Sequence, residues 1–260
     1  MNEVNEYYNE VAHKYDYMYE EPYWFLYHEI LTRLTGDHIS DKNSRILDLG
    51  TGTGKWAIFF SESGNEVTAI DQSMEMLKYA KMKSDLRDLN ITYRNMSAEK
   101  IDLKEKYFDY VVAYGDVLSY CKDINVVLNE IKKSLKSSGK LLFTVDNSYA
   151  FLNDFLSNVE GYNAKKIVDG EKISIGDKSI SKKKFLTKPF FPEEIETILF
   201  RNGFKSIDMA SLVNFGLYDE EKLARKIDLA ADWEYKYCRK RELFACGEHL
   251  FISAVLESES

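Results

Sequence analysis

The chain has 260 residues, 45% of them hydrophobic and 30% charged, as a globular protein does. Its 43 acidic and 35 basic side chains leave a net charge of −8, against the clustered Lys and Arg that a broad nucleic-acid surface needs. No apolar run reaches the ~18 residues of a membrane span, no signal-peptide pattern opens the chain, and three cysteines without close pairing (Cys121, Cys238, Cys246) fit free thiols in a reducing cytoplasm.

In residues 3–19, Tyr8, Val11, Ala12 and Tyr15 recur at helical spacing and predict an amphipathic helix. Pro22 breaks it, and residues 23–35 resume the pattern through Trp24, Leu26, Tyr27, Ile30 and Leu34. The rhythm then changes. Residues 44–50 are a short apolar strand ending in a Gly-rich turn, and 55–63 read as a helix. Residues 66–71 are a second strand, after which Ser73 caps a helix through Met76, Leu77 and Ala80. Residues 91–94 form a weak strand and 108–114 a strong one. From 123 to 135, Val127, Leu128, Ile131 and Leu135 share one helical face, and 139–145 is the next strand, followed by a helix near 148–157. Strands alternating with helices predict βαβ units on a parallel sheet.

Beyond residue 160 the pattern loosens. Residues 165–186 hold the turn pairs Asp169-Gly170 and Gly176-Asp177 and predict short strands in a hairpin. Pro192 opens a helix that Gly203 ends, 204–212 is a strand, 218–244 is helical, and 249–256 is a final strand. A strand, a helix and a strand appended to a parallel half-sheet predict an antiparallel edge at the C-terminus.

The chemistry centres on Gly50-Thr51-Gly52-Thr53-Gly54, between a strand and a helix. Glycines let a ligand approach the backbone, and a helix N-terminus offers free N–H groups. The spacing is G-x-G-x-G, which matches neither a dinucleotide fingerprint nor a P-loop. Asp71 ends the second strand, where a carboxylate can accept both hydroxyls of a ribose. Together the two features favour an adenosine-type ligand without a phosphate cradle.

Residues 46–54, 67–77 and 108–114 resemble the successive motifs of class I S-adenosylmethionine (SAM)-dependent methyltransferases. The opening Tyr7-Tyr8 to Tyr15-Asp16, and 190–204, resemble the small-molecule branch of the ubiquinone and menaquinone biosynthesis type. The resemblance implies a Rossmann-like α/β fold. That fold has a seven-stranded, mostly parallel sheet with helices on both faces, an antiparallel last strand and an N-terminal helical lid. One domain would span 1–260, as a helical extension (1–38), a cofactor-binding half (44–158) and a substrate-side half with insertions (159–260). Residues 160–184 and 214–246 lie outside the resemblance, and the latter are expected to help cover the acceptor.

The resemblance also implies roles. Asp48 and the backbone at Gly50, Thr51, Gly52 and Gly54 would hold the methionine end of SAM. Asp71 would bind the ribose, with Gln72, Ser73, Ala98 and Glu99 near the adenine. Tyr114 and Gly115 would lie beneath the methionine, and Tyr15 would approach the cofactor from the lid. Candidates for the catalytic or acceptor side are Tyr15, Tyr120, Asn147 and His249, with Asp146 and Tyr149 at the sheet's carboxyl edge. Tyr8, His13, Tyr19 and Trp24 are weaker candidates, since an aromatic stripe at helical spacing is usually packing. Lys182-Lys183-Lys184 and Arg239-Lys240-Arg241 read as solvated faces, Cys121 as a filler, and no residues stand at metal-ligand spacing.

The expected activity is methyl transfer from SAM to a small-molecule acceptor, quinone-like or otherwise apolar, in the cytoplasm. No nucleic-acid partner and no membrane span are expected. The alternatives are an RNA methyltransferase, a non-catalytic SAM-binding regulatory protein and, disfavoured by the glycine spacing, an NAD-dependent oxidoreductase.

Overall fold

A computed structural model describes residues 3–157, 164–176, 180–215 and 220–257. Five parallel strands come first: β1 (Arg45–Leu49), β2 (Glu66–Asp71), β3 (Ile91–Asn95), β4 (Phe108–Ala113) and β5 (Leu135–Asp146). β6 (Ile173–Ile175) and β7 (Phe185–Thr187) pair antiparallel as a separate two-stranded sheet. β8 (Phe204–Leu212) and β9 (His249–Leu256) complete the large sheet, in the order β3-β2-β1-β4-β5-β9-β8. β9 is antiparallel to both of its neighbours. The antiparallel strand is therefore not an edge: it fills the gap between β5 and β8, and β8 is the edge. There His249–Ala254 is buried on both faces, whereas the edge strand β8 exposes Lys205 and Ile207.

The helices are α1 (Glu3–Val11), α2 (Pro22–His38), α3 (Lys55–Glu62), α4 (Met74–Asp85), α5 (Val117–Tyr120), α6 (Ile124–Ser134), α7 (Ser148–Ser157), α8 (Ala164–Val168), α9 (Pro192–Arg201), α10 (Glu220–Ala224) and α11 (Ile227–Tyr237). Consecutive strand residues point to opposite faces, and both faces are buried. Leu47, Val111, Leu141 and Ile252 pack with α6 and α9 in one core. Their neighbours Ile46, Val112, Leu142 and Phe251 pack with α2, α3 and α11 in the other.

Several elements depart from the pattern in the sequence. Residues 3–19 are not one helix: α1 stops at Val11 and continues as two 3₁₀ turns, Ala12–Lys14 and Asp16–Tyr19. Long-range contacts override helical spacing here, because Asp16 is drawn to Thr53 and Lys83. Pro22 opens α2, where its missing N–H costs nothing. β5 begins at Leu135, taking the residue predicted to end α6. The predicted hairpin is present as β6 and β7, but a short helix, α8, precedes it; Asp177 lies outside the described residues.

The two unexplained segments have different jobs. α10 and α11 buttress α2: Tyr235 donates to Asp37 (2.8 Å) and Arg33 pairs with Asp232 (2.8 Å). Arg239 bridges Asp37 and Asp208, so it is a structural cation and not a solvated one. Among the described residues, none of 220–246 lines the cavities below, which corrects the expectation that this insertion covers the acceptor. The described residues of the hairpin do not line them either, but they pack behind α1, whose Val4 and Tyr8 do. Phe185 of β7 packs with Tyr7 and Val4 of α1 and Met76 of α4. Ser181 donates to Glu10 (2.8 Å), Lys14 to the carbonyl of Ile180, and Lys183 reaches Glu6 and Glu10. Lys183 is thus an exposed clamp on α1 rather than an unpartnered solvated charge.

Candidate active site

Two adjoining cavities open at the carboxyl ends of β1, β2 and β4, where ligands of open α/β sheets bind. The first runs past Gly50 and Gly52, Asp71 and Gln72, to Ala98 and Glu99. The second lies under α2 and the 3₁₀ turns, reaching Asp48, Asp116 and His249. Tyr8, Tyr15, Gly50, Gly52, Gly115 and Tyr120 line both.

The Gly-rich turn is shaped by close approach. A Cβ on Gly50 would stand 2.4 Å from Val117 of α5, so a side chain there would push α5 away. Gly52 has φ +54°, and a Cβ would meet only Tyr15, at 3.7 Å; it borders open cavity. Gly54 lines neither cavity. It is the left-handed N-cap of α3, and a Cβ would stand 2.9 Å from Ala80 of α4.

Asp71 holds the turn against β2. One carboxylate oxygen accepts from the Gly52 N–H (2.9 Å), the other from the Ser73 N–H (2.7 Å), and each oxygen keeps acceptor capacity for a ribose. Ser73 is fully buried and occupied as the α4 cap: its hydroxyl accepts from the Met76 N–H and donates to Asn9 of α1 (2.7 Å). It lines neither cavity, so the adenine role implied for Ser73 falls to its neighbours. Glu99 accepts from the Lys122 and Asp123 N–H groups and thereby fixes the far wall.

Asp48 is buried with one carboxylate oxygen lacking any partner, and burial pushes its carboxyl up to about 7. A buried orphan carboxylate beside a glycine turn fits an ammonium group. Thr51 lines the second cavity. Tyr114 closes the floor: its ring packs on Trp56 and its hydroxyl pairs with Thr35 of α2 (2.7 Å). Tyr15 receives a hydrogen bond from Tyr19 (3.1 Å). Burial holds Tyr8, Tyr15 and Tyr120 well above the usual phenol range and Tyr19 at about 12, so all four stay protonated.

The remaining candidates separate cleanly. Asn147 is fully buried and lines neither cavity; its amide donates to the carbonyls of Phe244 and Gly247 (both 2.7 Å) and accepts from the Tyr149 N–H. The catalytic candidacy of Asn147 is therefore replaced by a structural role, tying β5 to the turn before β9. Tyr149 also lies away from the cavities, against Phe191. His13 is exposed. Cys121 lines the first cavity as a protonated thiol, pushed up to about 12 by burial.

His249 faces the second cavity, beside the rings of Trp24 and Tyr27. Its Nδ1 lies 2.9 Å from Asp116 and 3.9 Å from Asp146. Thr187 of β7 donates to Asp146, and the Gly115 and Asp116 N–H groups donate to Thr144 (3.0 and 3.1 Å), fixing the loop. No spacing in the sequence joins these three groups, which come from the loop after β4, the end of β5 and the start of β9 and lie within 4.8 Å of one another. Asp116 gave one available signal, an acid two residues past a strand end. His28 of α2 also lines this cavity; burial lowers it to about 3, so it stays neutral.

Residues 47–143 match a family model described as a methyltransferase domain. The chain is 29% identical over 209 residues to an uncharacterized protein of Methanocaldococcus jannaschii, covering 78% of this chain and 77% of that one. It is 33% identical over 103 residues to a ubiquinone biosynthesis O-methyltransferase of Rhodopseudomonas palustris, covering 40% of each. The chain spans less than half the length of several curated relatives it matches. Its fold matches a SAM-dependent methyltransferase structure from Clostridium acetobutylicum (TM-score 0.63, 17% identity, 96% of this chain and 99% of that one).

Sheet, cavity and domain match together define a class I SAM-dependent methyltransferase. Residues 47–143 carry a methyltransferase domain and the chain shares the fold of SAM-dependent methyltransferases, which makes SAM the cofactor the site is read for. Among the described residues no helix is long and apolar enough to cross a membrane.

Proposed function

We propose that the protein transfers the SAM methyl group to a small, largely apolar acceptor of the quinone-precursor kind. The observation that carries this is the second cavity: about 360 Å³, within the range of small-molecule sites, walled by Tyr8, Tyr19, Trp24, Tyr27 and Trp56 and opening directly onto the cofactor turn. The R. palustris relative, an O-methyltransferase of ubiquinone biosynthesis, supports the same acceptor type. An RNA methyltransferase is disfavoured by the charges at the rim. Lys83 pairs with Asp16 and Arg87 with Glu62, so neither joins a basic stripe.

SAM supplies an activated methyl carbon on a sulfonium. The chain then has to position the acceptor in line with that carbon and exclude water. Asp48 would hold the cofactor's ammonium and Asp71 its ribose hydroxyls, and the bare backbone at Gly50 and Gly52 would leave room for its methionine end. Tyr15 and Tyr120, lining both cavities, border the junction where the transfer occurs. Their phenols remain protonated, so they orient and shield rather than accept protons.

Calorimetric titration with SAM, S-adenosylhomocysteine (SAH) and NADH tests the reading. Micromolar binding of the first two and none of the third is the expected outcome. Binding of NADH alone would overturn it. SAM binding with no transfer to any member of a phenol, quinol and amine panel would favour a regulatory SAM-binding protein.

A further inference from the structure

Once the cofactor residues are assigned, the acceptor cavity holds one cluster that methyl transfer alone does not require. Asp116, Asp146 and His249 are all buried, and His249 Nε2 and one oxygen of Asp116 have no partner. Burying such groups is costly unless they pair or act. The groups facing His249 are Asp116 from the loop after β4, Asp146 from β5 and Glu248 beside it. Across the cavity stand Tyr27 and the neutral His28 of α2. The six phenols lining the cavity, Tyr8, Tyr15, Tyr19, Tyr27, Tyr114 and Tyr120, keep their protons, Asp48 and Lys55 flank the glycine turn, and Asp16 is paired with Lys83. Away from that turn, His249 is the side chain that presents an unpartnered ring nitrogen backed by two carboxylates.

We propose that His249, positioned by Asp116 and backed by Asp146, is a general base for an aromatic hydroxyl, so that the product is a methyl ether. This rests on the methyl-transfer reading above. In the step, the acceptor oxygen bonds to the methyl carbon and the carbon–sulfur bond breaks. Its electron pair stays on sulfur, giving neutral SAH. The hydroxyl proton passes to His249 Nε2 and then to solvent. An amine would reach the cavity as a cation, beside a cationic cofactor, and a carboxylate would need no base. Trp24 and Tyr27 stand tilted and edge-on beside the imidazole and give the cavity an aromatic wall.

Without cofactor, burial opposes charge on His249, but Asp116 and Asp146 outweigh it and hold the imidazolium up to about 9. A sulfonium in the adjoining cavity adds like charge and drives that proton off. SAM binding should therefore release more protons than SAH binding. The difference cancels any release at Asp48, since both ligands carry the same ammonium.

The experiment is calorimetry of SAM and of SAH at pH 8 in two buffers of different ionisation enthalpy, on wild type and His249→Asn. Excess proton release with SAM, absent in the variant, is expected. Alongside it, His249→Asn should bind SAM within about twofold of wild type yet lose about 10²–10⁴-fold in transfer to a phenol panel. Asp116→Asn should lose less and move the acid limb of kcat/KM to lower pH. Equal proton release for SAM and SAH in wild type would overturn the proposal, whatever the panel shows. So would N- or C-methyl products, or transfer abolished by EDTA and restored by a divalent cation. Failure of wild type to bind SAM would instead overturn the function reading itself.

Discussion

The cavity assigned above to the cofactor and the cavity proposed for the acceptor meet at the same glycine turn, yet their walls are held together differently. The cofactor side hangs on consecutive strand ends, with β1 in register with β2 and β4 and Asp71 bonded to the turn it follows. The second cavity is covered by α2, which belongs to the core, and by α1 with the 3₁₀ turns after it; this outer cover is backed by the β6–β7 hairpin, from a distant part of the chain. The polar ties of α1 and the turns after it include Asn9 to Ser73, Asp16 to Thr53 and Lys83, Glu10 to Ser181, Lys14 to the Ile180 carbonyl, and Lys183 to Glu6 and Glu10. A sheet edge is rigid because each strand is ordered by its neighbours. A cover held by a handful of side chains opens at low cost, which a site that must admit and release an acceptor requires.

This contrast can be broken most severely at Gly52. Gly52→Val should reduce SAM affinity on the order of 100-fold, about 2.7 kcal/mol, because valine's γ carbons would fill the cavity at a φ of +54°. Near-normal calorimetric affinity would make the glycine run a mere turn. Asp71→Ala comes next, with a loss on the order of 1.5–3 kcal/mol in SAM binding, since it removes the ribose acceptor and unties Gly52. Unchanged affinity would show that the ribose sits elsewhere.

Asp48 sharpens the comparison through pH. Its folded value, about 7, lies above the usual 3.8, so the folded state holds its proton more tightly than the unfolded one. Its contribution to stability is fully present below 3.8 and lost as pH rises through about 7. Asp48→Asn should therefore raise the Tm at pH 8 but not at pH 4, while weakening SAM binding roughly tenfold, about 1.4 kcal/mol. A variant with unaltered affinity would remove Asp48 from the ammonium site. The smallest effect belongs to the cover. Asn9→Ala should raise amide exchange in residues 3–11 and cost about 1 kcal/mol or less in SAM affinity, with β1 and β2 unaffected. Exchange rising equally in the strands would dissolve the distinction between the two sides.

What could be read in advance follows the same division. β2, β8 and β9 sit where the alternation of apolar residues put them, and Ser73 caps α4 as its position before a helical pattern implied. Ala98 and Glu99, singled out by a resemblance of motifs, line the first cavity. Ser73 and Asn147 are polar, well placed in the chain, and absent from both cavities. Their hydrogen bonds go to groups contributed by other segments, Asn9 for one and Phe244 and Gly247 for the other, and no local pattern reveals that. The convergence of Asp116 with His249 was hidden for the same reason. It depends on β9 being inserted antiparallel beside β5, which pairs Asp146 with His249 in register.

By itself, the sequence determined the α/β class, the glycine turn after β1 and the acid that ends β2, because these rest on local physics. Residue periodicity selects helix or strand, and glycine alone adopts the left-handed turn without strain. The tertiary structure decided what covers the acceptor, which polar residues are occupied elsewhere, and which acids surround His249. Those depend on groups far apart in the chain meeting in a desolvated space, where the partner each one finds sets its charge and its role.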